Sequence, residues 1–113
     1  MKFKDKIKIL TDRGVFKEIK GALIPYEDKT VKVTLMAHLS EDAWQSDVLD
    51  VSEQSTGCRL FSIKDIKAKD VNAKIIIERT QKFIQSKGKK AFLEQIEKQI
   101  LSNPHIYENM LDK

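Results

Sequence analysis

Hydrophobic and polar residues alternate along the first half of the chain, a pattern typical of β-strands with one buried face. Turn-forming residues separate the alternating segments, and such short connections favour an antiparallel meander. The segments predicted as strands are 2–10, 15–24, 30–40, 44–53 and 58–63. In the clearest of them, Leu35 and Ala37 share the apolar face, whereas Met36 and His38 fall on the face expected to be solvated. Pro25 predicts the end of the second strand.

The hydrophobic spacing changes to that of helices from Asp65 onward. One helix is predicted between Asp70 as its N-cap and Gly88, a second at about 89–102, and a short third helix from Asn103. The three consecutive isoleucines at 75–77 leave open a strand, or a helix buried on several sides. The whole pattern predicts an α+β fold, an antiparallel β-meander of four to five strands followed by two to three C-terminal helices packed on one face.

The length of 113 residues predicts a single domain, 1–113, with a strand-rich part at 1–63 and a helical part at 65–112. The lysine-rich N-terminus lacks the apolar core of a secretory signal, and no apolar run is long enough to span a membrane. A single cysteine cannot form an internal disulfide, which fits a reducing compartment. We therefore expect a cytoplasmic protein without membrane contact.

Residues with catalytic potential are few. Cys58 is followed directly by Arg59, and on a strand these two side chains point to opposite faces, so the arginine would not stabilise a thiolate. His38 and His105 are the only histidines, and their spacing matches no metal site. We expect no cofactor, no metal and no enzymatic activity. A deep pocket that gathers Cys58, His38 and a carboxylate would reverse this expectation.

Charge is unevenly distributed and gives two hypotheses about partners. Residues 41–56 hold five acidic and no basic residues, and within them a contact site for a protein partner is predicted at Trp44, Asp47, Asp50 and Glu53. Residues 57–90 hold ten basic and three acidic residues. The alternative is nucleic-acid binding, with phosphates contacted by Lys64, Lys67, Lys69, Lys87, Lys89 and Lys90. Arginine is scarce and no aromatic residues are interleaved with the lysines, so nucleic-acid binding is the less favoured of the two hypotheses.

The stretch from Trp44 through Ile100 combines a strand that opens with Trp, an "STG" turn, a short strand and the lysine-rich "SKGKKAFLEQIEKQI". This arrangement resembles small, mostly uncharacterised proteins of bacteriophages and other mobile elements of bacteria. The resemblance implies a binder or inhibitor that covers a site on a host macromolecule, and it carries over no functional residue. We therefore predict a small non-enzymatic interaction module that binds a protein partner through a charged surface. Self-association through a sheet edge or the helix pair is a further expectation.

Overall fold

A five-stranded antiparallel sheet with the order β1-β2-β3-β4-β5 forms the first part of the protein, and two helices follow it. The structure is a computed structural model that describes residues 2–11, 14–28, 31–40 and 47–102, the last three by backbone only. The strands are β1 Asp5–Leu10, β2 Phe16–Glu27, β3 Lys32–Leu39, β4 Leu49–Glu53 and β5 Arg59–Ile63. After a 3₁₀ turn at Ala68–Asp70 come the helices, α1 Ala73–Lys87 and α2 Lys89–Ser102. The predicted α+β class and the antiparallel meander are confirmed.

The bounds of α1 follow from its caps. The N-cap is Asn72, whose Oδ1 accepts a hydrogen bond from the Ile75 backbone N–H at 2.9 Å. The sequence prediction had placed the cap two residues earlier, at Asp70. Gly88 follows the helix with φ of 92° and donates its N–H to the Ile84 carbonyl, as its predicted role requires. The isoleucines at 75–77 are helical, and Ile76 is the fully buried one. The third predicted helix lies outside the described residues.

The long strand β2 bends where it changes partners. Its first half pairs with β1 up to Gly21, and its second half pairs with β3 from Ala22 onward. A Cβ on Gly21 would lie 2.5 Å from Ile7 Cδ1 and 2.8 Å from the Ala37 carbonyl oxygen, so the close approach requires glycine. Pro25 does not end the strand, in contrast to the prediction. Among the described strands, the second half of β2 pairs only with β3. The edge of β2 that faces away from β3 therefore needs no backbone donor at Pro25.

Two apolar clusters result from this bend. The larger one combines residues of β2 to β5 with Ile76, Ile84 and Phe92 of the helices. The smaller one consists of Ile7, Ile9 and Met36, with Ile19 packed against it. The β1–β2 hairpin therefore covers part of the second face of β3, the face that the sequence pattern had predicted to be solvated. Met36 is consequently buried. His38 is buried as well, so the expectation of a solvated His38 was wrong.

Candidate functional site

An open groove of about 1000 Å³ lies between the end of β1 and β5. At one end of the groove, the N–H of Leu10, the last residue of β1, donates a hydrogen bond to the Gly57 carbonyl at 2.8 Å. Polar side chains of β3 and β4 form the floor. The lining residues are Ile9, Leu10 and Thr11 on one side, His38, Ser40, Asp50 and Ser52 on the floor, and Cys58, Arg59, Leu60, Phe61, Ser62 and Lys64 on the other side. We call this site the β1–β5 groove.

The floor is organised by two hydrogen-bonded pairs. His38 Nε2 lies 2.9 Å from Ser52 Oγ, and His38 Nδ1 lies 3.1 Å from the Leu39 carbonyl oxygen. A carbonyl only accepts hydrogen bonds, so Nδ1 carries the proton, and in the neutral ring Nε2 accepts from the Ser52 hydroxyl. In the second pair, the Ser62 hydroxyl donates to Asp50 Oδ1 at 2.6 Å.

The groove gathers Cys58, His38 and Asp50, the set that would favour an enzyme. In the described part of the chain these three side chains do not hydrogen-bond to one another. Burial raises the pKa of the Cys58 thiol, and the nearby charge of Glu53 adds to the increase, whereas a reactive thiol needs a lowered pKa. Cys58 Sγ instead approaches the Thr56 carbonyl oxygen at 3.9 Å. A nucleophile–base pair is therefore not assembled from these groups.

The Ser52–His38 pair also resembles a serine nucleophile with its base. Yet Ser52 is 1% and His38 is 2% exposed, so a substrate atom has almost no access to either side chain. Their hydrogen bond instead satisfies two buried polar groups. Within the described residues, no three histidine, cysteine, aspartate or glutamate side chains come together as a metal site would require.

The predicted acidic contact site is not assembled as a surface. Trp44 lies outside the described residues, and Asp47 is exposed in the turn before β4. Asp50 and Glu53 are buried, being 4% and 2% exposed, so neither lies on an open surface. Glu53 instead accepts hydrogen bonds from the turn that follows it, from the Ser55 hydroxyl at 2.6 Å and from backbone N–H groups. Their burial was not predicted, because cross-strand and turn partners are not visible in a local sequence pattern.

The six lysines proposed for phosphate binding are divided between the two ends of α1. Lys64, Lys67 and Lys69 lie before its N-terminus, and Lys87, Lys89 and Lys90 lie at its C-terminus. A helix of 15 residues separates its ends by roughly 20 Å. The six lysines are therefore divided into two groups at opposite ends of the helix.

Three of these lysines also have partners of their own. Lys89 Nζ lies 3.9 Å from Asp28 Oδ1, and Lys90 Nζ lies 4.0 Å from Glu94 Oε1. The Lys87 ammonium lies 5.7 Å from the centre of the Phe83 ring. The two carboxylates offset part of the positive charge at the end of α1.

Neither described helix is both long and apolar enough to cross a membrane. No protein-family model matches the chain, and no curated protein and no solved structure is significantly similar to it.

Proposed function

We propose that the protein is a small non-enzymatic, cytoplasmic interaction module that binds an extended segment of a partner protein along the edge of β5 with which no other described strand pairs. One observation carries the proposal: Arg59, Leu60, Phe61 and Ser62 all line the groove, although they follow one another in the chain. Successive side chains of a strand point to opposite faces. A groove lined by consecutive residues therefore runs along the edge of the strand, where backbone groups are accessible.

The hydrogen-bond pattern indicates which backbone groups face the groove. The Gln54 N–H donates to the Thr34 carbonyl at 2.9 Å, so backbone groups of every second residue from Gln54 face β3. The backbone groups of the residues in between, such as Val51, face β5. Val51 is paired with Phe61, so the N–H and C=O of Phe61 face β4. The N–H and C=O of Ser62, the next residue, therefore face away from β4 and toward the groove.

The size and chemistry of this edge fit an extended chain. The five residues of β5 span about 17 Å, the length of a five-residue partner segment. Leu60 is unpaired in the register with β4, which makes it a bulge. Both ends of β5 are charged, because Arg59 is its first residue and Lys64 follows its last. Bulges and charged flanks limit indiscriminate pairing of edge strands. The edge is therefore short and selective.

This proposal keeps the expected protein partner and changes the contact surface. The charged residues that line the groove are Arg59, Lys64 and, from the predicted acidic set, Asp50. The larger apolar cluster, which joins the sheet to both helices, supports the expected packing of the helices against one face of the sheet. Such packing would leave the other face for the groove. The role agrees with that of a binder or inhibitor of phage or mobile-element type, which the resemblance implied.

The test is a selection of random twelve-residue peptides displayed on phage against the immobilised protein. The recovered peptides are synthesised, and their dissociation constants are measured for the parent, Ser62→Pro and Ser62→Ala. Proline removes the N–H that faces the groove, whereas alanine keeps it and removes only the hydroxyl bond to Asp50. One lost hydrogen bond of about 1.4 kcal/mol corresponds to a tenfold weaker dissociation constant. We expect Ser62→Pro to bind about tenfold more weakly than Ser62→Ala.

Thermal unfolding establishes that both variants are folded. If Ser62→Pro is not folded, Lys64→Pro with Lys64→Ala as its control replaces the pair, because the Lys64 N–H also faces away from β4. Recovery of no peptides, or equal affinity of the proline and alanine variants, would contradict the proposal. A second copy of the chain as occupant would appear as a dimer that the proline substitution dissociates.

Nucleic-acid binding is the competing proposal, and the separation of its lysines along α1 weighs against it. Titration with duplex and single-stranded DNA and RNA at several salt concentrations distinguishes the two. Phosphate contacts would give affinity that falls linearly on a log–log salt plot. Strand addition through backbone groups would show a much smaller salt dependence.

A further inference from the structure

A buried carboxylate with spare hydrogen-bonding capacity lies on the floor of the β1–β5 groove. Asp50 is 4% exposed, and its Oδ1 accepts one hydrogen bond from the Ser62 hydroxyl. The nearest cation to its Oδ2 is Arg59 Nη1, at 4.0 Å, which is beyond hydrogen-bond distance. An ionised carboxylate accepts about four hydrogen bonds, and a buried acceptor left without them is costly. Asp50 Oδ2 is therefore suited to accept a hydrogen bond from a donor on a bound ligand.

The other polar side chains at the centre of the floor are already committed. Both ring nitrogens of His38 have partners, and the Ser52 hydroxyl is bonded to one of them. The Ser62 hydroxyl is bonded to Asp50 itself. Among the described side chains at the centre of the floor, Asp50 Oδ2 is thus the buried acceptor that can still bond to a bound segment.

The distance from the proposed partner strand to Asp50 selects the donor. Strands in a sheet lie about 4.8 Å apart, so a segment added to β5 lies roughly 9.6 Å from β4. Asp50 and Ser62 are direct cross-strand partners, so the partner residue opposite Ser62 lies in line with Asp50. A short side chain at that position ends above β5. A lysine, with its four-carbon stem, reaches on the order of 6 Å and passes over Ser62 to Asp50.

We infer that the bound segment carries a lysine or arginine opposite Ser62, whose cation pairs with Asp50 on the groove floor. This inference rests on the strand addition proposed above and specifies the class of segment that is accepted. Arg59 does not block the position, because its side chain is 61% exposed and approaches Asp50 only loosely. Solvent screens the repulsion from Arg59 more strongly than the attraction of Asp50, whose side chain is 6% exposed.

The test compares peptides recovered by the display selection with versions in which the basic residue is replaced by norleucine, which has a similar stem and no charge. We expect this replacement to weaken binding to the parent about tenfold and binding to Asp50→Asn less than twofold, since asparagine removes the charge but retains an acceptor for Ser62. Such a difference is a coupling between the two groups. Absence of a basic residue among the recovered peptides, or an equal norleucine effect on both proteins, would overturn the inference.

Shortening the peptide side chain gives a second measurement that does not depend on folding of the Asp50→Asn variant. Replacement of lysine by ornithine and by diaminobutyric acid keeps the charge and shortens the stem by one and two carbons. Affinity for the parent should fall stepwise, and equal affinities for all three would overturn the inference. If Ser62→Pro weakens binding but the stem length has no effect, only the basic residue is wrong. If Ser62→Pro has no effect, the strand addition itself is wrong.

Discussion

Replacement of Glu53 by glutamine should destabilise the protein, because Glu53 holds the turn that leads into β5. Its buried carboxylate accepts hydrogen bonds from the Ser55 hydroxyl, the Ser55 N–H and, at 3.1 Å, the Thr56 N–H. The amide nitrogen of glutamine cannot accept, so at least one of these donors loses its acceptor. Hydrogen bonds to charged groups contribute roughly 1.5–3 kcal/mol each, and burying a neutral amide costs less than burying a carboxylate. We expect a net loss of about 2 kcal/mol in the free energy of unfolding.

Urea unfolding followed by circular dichroism measures this free energy by linear extrapolation. For a chain of this size a loss of about 2 kcal/mol lowers the Tm by roughly 8 °C. Glu97→Gln is the matched control, since Glu97 is exposed on α2 and its replacement should change stability by less than about 0.5 kcal/mol. If Glu53→Gln is as stable as this control, the buried carboxylate does not organise the turn.

Three further predictions concern other parts of the described structure. Gly57→Ala should lower the Tm more than Gly14→Ala: both glycines have similar positive φ, 71° and 75°, but only at Gly57 does an added Cβ meet neighbours, the closest at 2.8 Å. The Arg79 guanidinium holds the pKa of Asp65 below its ordinary value. The ion pair therefore stabilises the fold near neutral pH, and this contribution is lost as the pH falls through the lowered pKa. NMR titration should show a higher pKa of Asp65 in the Arg79→Gln variant. Cys58 should react with iodoacetamide more slowly at neutral pH than in the urea-unfolded chain, as mass spectrometry would show, because burial raises its pKa in the folded state.

The fold class was predictable because its signals are local. Alternation of period two marks the strands, and the change to helical spacing after Asp65 marks the helices. The Asn72 cap was missed because Asp70 is an equally good capping residue two positions earlier. The sequence alone does not show which of two such residues adopts the cap conformation.

The groove was not predictable, because it depends on how distant strands are arranged. The segment of β5 was recognised as a strand, but no local pattern shows that it lies at an edge or that β1 lies across the groove from it. The burial of Met36 likewise depends on the bend of β2, which brings the first hairpin over β3. Gly21 inside a strand pattern was the signal for this bend, since glycine in a strand often marks a bend or a close backbone approach.

The most direct test of the central claim is amide hydrogen exchange of Ser62, measured by NMR with and without a peptide recovered by selection. Strand addition gives the Ser62 N–H an acceptor on the peptide, so its exchange should slow by at least tenfold when peptide is bound. The Phe61 N–H, which faces β4 in both states, provides the internal comparison and should change much less. Unchanged exchange at Ser62 with the peptide bound, or equal slowing at both residues, would contradict binding along the edge of β5.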